Sequence, residues 1–166
     1  MTIAIRRIAM VLVSACVIAW TAGIASAQSA SQLVGTWTLV SNVNTAADGS
    51  KNYPFTEKAQ GLLIFDAGGR YSLQICRPDR AKFASGVRDK GTAEEYQASV
   101  HGCNPHWGRY AVADGAITFM IEQAMFPNWT SLQQKRSFTV KGDELTYIVP
   151  AASSGGVSEI KWRRAP

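Results

Sequence analysis

The feature that most constrains this chain is a series of short segments in which apolar and polar residues alternate, separated by brief turn-forming stretches. Alternation places successive side chains on opposite faces of an extended strand, so each segment predicts a strand with one buried face. Short glycine-containing turns such as Ala67–Gly69 and Asp114–Gly115 favour antiparallel hairpins over βαβ units. Eight strands are predicted, at 33–43, 61–66, 70–76, 106–112, 116–122, 132–140, 144–149 and 157–164.

Eight strands with tight connections predict an all-β fold, a single antiparallel up-and-down barrel. Closing the sheet removes its edges and leaves an interior suited to side chains or one small ligand. The segment 77–104, here called the excursion, interrupts the strand pattern. Within it Thr92 and Glu95 have the spacing of a capping box, which predicts one short helix to about Val100.

Residues 1–27 are interpreted as a signal peptide. Arg6 and Arg7 precede an uncharged apolar run, and Ala25-Ser26-Ala27 has the small-x-small pattern of a cleavage site. Cleavage after Ala27 would leave residues 28–166 as one domain, periplasmic or secreted, with no further transmembrane span expected.

Two other interpretations of the leader remain open. The uncharged stretch is long enough to cross a bilayer as a membrane anchor. Alternatively, Val13-Ser14-Ala15-Cys16 resembles a lipobox, which would make Cys16 the lipidated first residue of a lipoprotein.

Cysteine content becomes informative once the leader is set aside, because only Cys76 and Cys103 of the three cysteines remain. An even pair in an exported chain suggests a disulfide, worth roughly 3–4 kcal/mol on the chain-entropy model. His101 and His106 lie near Cys103 and raise the possibility of a zinc site. An oxidised Cys103 would be lost as a ligand, so neither a metal nor another cofactor is predicted.

The charge balance favours no nucleic-acid partner. The chain has a formal net charge of +5, and removing Arg6 and Arg7 reduces it to +3. These charges form no basic cluster interleaved with aromatics and no known nucleic-acid-binding motif. The mature length suffices for one core and is short for two domains, and we expect a monomer.

Several motifs, in this order, resemble one family. They are Gly35-Thr36-Trp37, a Gly-Arg-Tyr-Ser hairpin at 69–72, the Arg-Pro-Asp-Arg segment at 77–80, Gly-Thr-x-Glu-Glu-Tyr at 91–96, and a closing Trp-Arg-Arg at 162–164. Together they resemble the lipocalin-like domain proteins of bacteria and fungi, within the wider calycin group. The resemblance implies the barrel, although members of this group generally lack an established activity. It also implies that Arg164 or Arg163 packs over Trp37 and closes the bottom of the barrel, a cation–π contact worth ~0.5–2 kcal/mol.

The barrel interior is the candidate site. Alternation places Tyr71, Leu73 and Ile75 on one face of their strand, and the resemblance favours a ligand cavity over a solid core. Arg77 and Arg80 in the excursion would favour an anionic ligand head at the barrel mouth. The candidate residues of the cavity or its mouth are Tyr71, Leu73, Ile75, Arg77, Arg80, Tyr110, Phe119 and Tyr147.

Three functions are consistent with this sequence. The first is an exported carrier of a small apolar ligand, with or without an anionic head. The second is a barrel enzyme of isomerase or cyclase type, with Tyr71, Tyr110 or Glu122 as proton donor or acceptor. The third is a structural or interaction module with a packed core. No catalytic residue is assigned, because the sequence contains no recognisable nucleophile-and-base arrangement.

Overall fold

The strands form one continuous antiparallel sheet in the computed structural model, which describes residues 29–152 and 155–166. The predicted signal peptide and Cys16 lie outside the described residues. The strands are β1 (Gly35–Thr45), β2 (Lys51–Asn52), β3 (Gln60–Phe65), β4 (Arg70–Cys76), β5 (His106–Ala113), β6 (Ala116–Ala124), β7 (Gln133–Lys141), β8 (Glu144–Val149) and β9 (Val157–Arg164). The α-helices are α1 (Ala30–Leu33) and α2 (Ala93–His101), and Arg88–Lys90 and Pro127–Trp129 form single 3-10 turns.

The sheet closes on itself. Each strand from β3 to β8 pairs with its successor, and β1 pairs with both β3 and β9 to complete a ring of eight. The predicted eight-stranded antiparallel barrel is therefore confirmed. A ninth strand, β2, was not predicted; it adds only two residues, pairing with the end of β1 at Asn44 and Thr45.

One end of the barrel is closed by residues that precede β1. The first strand was predicted to begin at residue 33, but Leu33 ends helix α1 and is completely buried. The indole nitrogen of Trp37 donates a 2.7 Å hydrogen bond to the Leu33 carbonyl. Arg164 lies 4.2 Å from the centre of the Trp37 ring and donates to the carbonyls of Val34 and Gln32 at 2.8 and 2.9 Å.

Aromatic side chains fill the half of the barrel next to this closed end. The ring of Phe65 lies 4.7 Å from that of Tyr110, and the ring of Tyr71 lies 4.7 Å from that of Phe119, both edge-on. The Tyr110 hydroxyl donates to the Asp66 carbonyl in the β3–β4 hairpin. This half of the barrel is therefore occupied by aromatic side chains in contact with one another.

The excursion joins β4 to β5 across the open end. Thr92 and Glu95 form the predicted capping box at the start of α2, which ends at His101. A disulfide joins Cys76 to Cys103, with the two Cα atoms 4.1 Å apart. The bridge fastens both ends of the excursion to the rim of the barrel. Among the described residues no helix is long and apolar enough to cross a bilayer.

Candidate functional site

A cavity of about 780 Å³ occupies the open half of the barrel. This volume lies within the ~300–1,000 Å³ typical of small-molecule sites. Its mouth is surrounded by four connections, which join β2 to β3, β4 to β5, β6 to β7, and β8 to β9. The mouth residues from these connections are Pro54, Phe55, Val100, His101, Met125, Phe126, Trp129, Ala151 and Ala152. In an up-and-down barrel alternate connections meet at one end, so the topology itself assembles this mouth.

Five of the eight predicted site residues line this cavity: Leu73, Ile75, Arg77, Phe119 and Tyr147. The strand alternation that predicted their inward orientation also makes Leu73, Ile75, Phe119 and Tyr147 buried. Ile75 and Tyr147 belong to the part of their strands nearer the open end, whereas Leu73 and Phe119 lie close to the middle of theirs. The walls are therefore largely apolar and aromatic.

The other three predicted residues do not line the cavity. Tyr71 and Tyr110 point inward as expected, but they belong to the packed aromatic half. Arg80 is exposed on the excursion; its Nε donates to the Arg77 carbonyl and its methylenes lie over Gly102. Alternation specifies which face a side chain occupies, but it does not specify the depth at which the core stops.

Arg77 reaches the mouth, but its charge is already compensated. Its Nε and Nη2 donate to the two carboxylate oxygens of Asp79, both at 3.0 Å. This bidentate pair raises the pKa of Arg77 and lowers that of Asp79. An anionic ligand would have to compete with a carboxylate two residues away, so Arg77 is a poor candidate for the head-group contact.

Arg136 is the cation that sequence reasoning missed. It lines the cavity from β7, and burial lowers its pKa from the ordinary value. Its Nη2 donates to Gln134 Oε1 at 2.6 Å and its Nη1 to the Lys135 carbonyl at 3.0 Å. Neither acceptor is charged, and no carboxylate among the described residues lies within ion-pair distance of Arg136. The cavity therefore contains an uncompensated positive charge, since a guanidinium remains protonated in proteins.

The inward orientation of Arg136 follows from the alternation in β7. Phe138 is buried on the inner face and pairs with Tyr147 of β8. Counting back two residues at a time from Phe138 places Arg136 and then Gln134 on the same face. This signal was present in the sequence, because an arginine in phase with buried apolar residues is unusual.

His106 contributes a neutral polar group to the cavity wall. It is 7 % exposed, and its Nδ1 lies 2.8 Å from the Tyr71 hydroxyl with a hydrogen bond between them. Burial, together with the nearby positive charge of Arg136, lowers the pKa of His106 to about 4. The imidazole is therefore uncharged at neutral pH. Burial also raises the pKa of Tyr71 and Tyr147 far above the ordinary tyrosine value, so both hydroxyls stay protonated.

The family match covers the whole barrel just described. Residues 34–165 match the lipocalin-like domain. The chain belongs to the lipocalin-like domain family. Among solved structures, the wild-type fluorescent protein UnaG is similar at 13 % identity over 81 % of this chain and 98 % of that protein, with a TM-score of 0.39. The comparison with curated proteins found no match.

In this lipocalin-like barrel the residues suggested for proton transfer lie away from the cavity. Glu122 is on the outer face, where it forms ion pairs with Arg70 at 3.1 Å and Arg109 at 3.6 Å. The Tyr110 hydroxyl donates to the Asp66 carbonyl near the closed end, and the Tyr71 hydroxyl is hydrogen-bonded to Nδ1 of His106, which lines the cavity. None of the three residues suggested for an isomerase or cyclase is among those that line the cavity.

The residues suggested as zinc ligands do not form a metal site among the described residues. Cys103 is in the disulfide, while His106 faces the cavity and His101 is exposed on α2. Across residues 29–152 and 155–166, no group of three or more His, Cys, Asp or Glu side chains is arranged to hold a metal ion.

Proposed function

We propose that this protein is an exported carrier of a small apolar molecule whose anionic head group pairs with Arg136. The observation that carries the proposal is the half-filled barrel, in which a largely apolar cavity of about 780 Å³ contains one uncompensated guanidinium. The cavity argues against a module whose interior is packed throughout.

The cavity walls favour an apolar ligand body. Leu73, Ile75, Phe119 and Ile160 present buried hydrocarbon and aromatic surface to the cavity. Transfer of apolar ligand surface from water to such a wall contributes about 25 cal/mol per Å² before the costs of binding are subtracted. The ligand gains affinity mainly through this contact and gains orientation from the few polar groups.

The anionic head follows from the cost of an unpaired charge away from bulk water. A guanidinium that has only neutral acceptors is more stable when a carboxylate or similar anion replaces part of its lost hydration. Arg136 provides planar donors suited to a carboxylate, and the protonated Tyr147 hydroxyl lines the same cavity. Arg77 cannot take this role while Asp79 occupies its guanidinium.

Export is supported by the leader sequence and by the cysteines. The Cys76–Cys103 disulfide is of the kind that persists in oxidising compartments, such as the periplasm or the extracellular medium. A carrier placed there would bind its ligand after leaving the reducing cytoplasm.

Binding of cis-parinaric acid and its methyl ester, followed by fluorescence, tests the carrier proposal. We expect saturable 1:1 binding of the acid and binding of the ester weaker by about 10- to 100-fold, because the ester cannot form the charged pair. Arg136→Met should bring the two affinities together, mainly by weakening the acid.

Arg77→Met is the matched control, since it removes an arginine at the mouth whose charge is already paired with Asp79. It should leave the preference for the acid unchanged. Absence of saturable binding by either probe would reject the carrier. Loss of the preference in Arg77→Met but not in Arg136→Met would reject the assignment of the head group.

A further inference from the structure

His106 presents an unpaired ring nitrogen to the cavity. The side chain is buried on the inner face of β5 and lines the cavity, and its Nδ1 is hydrogen-bonded to the Tyr71 hydroxyl. Among the described residues, the side-chain atoms that are fully buried without a partner are Asn42 Oδ1 and Trp162 Nε1. The Nε2 of His106 also lacks a partner but is not one of these atoms, so it keeps accessible surface, and that surface faces the cavity.

The bond to Tyr71 decides which nitrogen of His106 carries the proton. The imidazole is uncharged at neutral pH, so one ring nitrogen is a donor and the other is an acceptor. The buried Tyr71 hydroxyl has no other partner among the described residues. If Nδ1 donated to the hydroxyl oxygen, the phenolic proton would be buried without an acceptor, which is costly. The hydroxyl therefore donates to Nδ1, and the ring proton is on Nε2, which faces the cavity.

The rings around His106 supply no acceptor for this proton. Phe119 and Trp129 approach the imidazole edge-on, with ring centres 6.2 and 5.9 Å from its own. A phenyl ring has no polar atom, and the indole nitrogen of a tryptophan is only a donor. Within the described part of the chain, the Nε2–H of His106 is therefore a donor in a largely apolar wall that has no protein acceptor.

Arg136 and His106 belong to the same part of the cavity. Phe119 connects them, because its ring contacts the imidazole and its Cα pairs with Gln134, whose Oε1 accepts from Arg136 at 2.6 Å. After burial, the positive charge of Arg136 is the second cause that lowers the pKa of His106, which requires the two side chains to be close. A head group that meets the guanidinium therefore lies near the Nε2–H of His106.

Two neighbouring donors select the chemistry of the head group. A carboxylate has two oxygens and accepts hydrogen bonds from both donors at once, whereas a hydroxyl has one oxygen and an amine mainly adds further donors. Hydrogen bonds to a charged acceptor are also about twice as strong as those between neutral groups. The pair formed by Arg136 and His106 therefore favours a carboxylic acid over an alcohol, an amine or an ester that has the same hydrocarbon body.

We infer that the head of the ligand is a carboxylate shared between the Arg136 guanidinium and the Nε2–H of His106, with Tyr71 holding the imidazole in the donating tautomer. This inference rests on the proposed carrier function and narrows its ligand class to carboxylic acids. It adds His106 as a second residue that determines specificity, and Tyr71 as the residue that positions it.

Nitrogen NMR of the wild-type protein, with its histidines labelled with ¹⁵N, tests the tautomer and the contact at pH 7. We expect the proton of His106 on Nε2 in the free protein. Saturation with cis-parinaric acid should move this proton strongly downfield, and the methyl ester should move it less, because an ester carbonyl is a weaker acceptor than a carboxylate. In Tyr71→Phe the Nδ1 nitrogen loses its donor, so a fraction of the ring should carry the proton on Nδ1.

Fluorescence titration of variants with cis-parinaric acid provides the second measurement. His106→Leu should weaken the acid by about tenfold or more, as expected for the loss of one hydrogen bond to a charged group in a buried site. In the Arg136→Met background the same substitution should cost less than about threefold, because the two donors act on one carboxylate. His101→Leu, which removes the exposed histidine at the mouth, is the matched control and should bind the acid within about twofold of wild type.

The outcomes separate the two proposals. If Arg136→Met weakens the acid but His106→Leu does not, or if His106→Leu has the same effect in both backgrounds, the shared head group is overturned while the carrier stands. A proton on Nδ1 of His106 in the wild-type protein, or an Nε2 proton that the acid does not move, overturns it as well. These NMR results need no substitution, so they decide the inference even where a variant fails to fold. If neither probe binds saturably, the carrier itself fails and the inference fails with it.

Discussion

Acidification to pH 5 should destabilise this barrel through one residue, His106. Its pKa is lowered from 6.5 to about 4 in the folded protein. Between these values the unfolded chain binds more protons than the folded one, so stability is complete above pH 6.5 and is lost as the pH falls toward 4. At ~1.4 kcal/mol per unit of pKa, the full loss is about 3 kcal/mol, and the loss between pH 8 and pH 5 is about 2 kcal/mol.

Urea unfolding of the purified protein at pH 8, 6 and 5 measures this effect. For a domain of this size, a loss of about 2 kcal/mol lowers the urea midpoint by roughly 1 M. The carboxylates with shifted pKa contribute little to this measurement. Hydrogen bonds lower the pKa of each one from its ordinary value of 3.8 or 4.5; these residues are Asp48, Asp79, Glu94 and Glu95. Their titration therefore falls below this pH window.

Two variants test whether His106 causes the fall in the urea midpoint. His106→Gln keeps a polar group beside the Tyr71 hydroxyl but cannot titrate, so its midpoint should change little between pH 8 and pH 5. His101→Gln removes the other histidine, which is exposed on α2, and should keep the wild-type response. A wild-type midpoint that is flat over this range, or an equal fall in His106→Gln, would refute the reasoning.

Two further predictions concern the closed end of the barrel and the close approach of the neighbouring strands β5 and β6. Arg164→Met should lower the free energy of unfolding in urea by about 2–3 kcal/mol, because it removes the cation–π contact and two hydrogen bonds. The exposed neighbour Arg163 provides the control, and Arg163→Met should cost less than about 0.5 kcal/mol. Equal effects of the two substitutions would contradict the proposed closure. Gly108→Ala should cost about 4 kcal/mol or more, or abolish soluble expression, because a Cβ there would overlap the Met120 carbonyl oxygen. Gly68→Ala is the control, since the nearest contact of a Cβ at that position is a side-chain oxygen at 3.4 Å. A near-neutral Gly108→Ala in a melting experiment would show that β5 and β6 can move apart.

Local signals in the sequence were enough to predict most of the elements. The β4, β8 and β9 strands have the predicted bounds, and the capping box at Thr92 and Glu95 starts the single predicted helix of the excursion. These features depend on residues close together in the chain, so alternation and capping report them directly. Helix α1 was missed because its four residues carry no periodic pattern, and it is held mainly through Trp37 and Arg164.

The candidate site was predicted only in part, for two physical reasons. Arg136 could have been found, because β7 keeps a regular alternation between this residue and the buried Phe138. Asn42, which also lines the cavity, could not, because it follows a shift of register in the pairing of β1 with β9, a strand more than a hundred residues away. Arg77 and Arg80 were weighed by charge alone, while the contacts that neutralise or remove them depend on the folded excursion.

The sequence by itself determined that this chain forms an antiparallel barrel, since the period of two and the short turns act within each hairpin. Only the tertiary structure decided where the core ends and the cavity begins, and which polar side chains are left without partners inside it. Those properties depend on the closure of β1 onto β9 and on side chains from many strands meeting in one lumen. No local pattern contains that information, because packing depth and hydrogen-bond satisfaction exist only once the distant strands are in place.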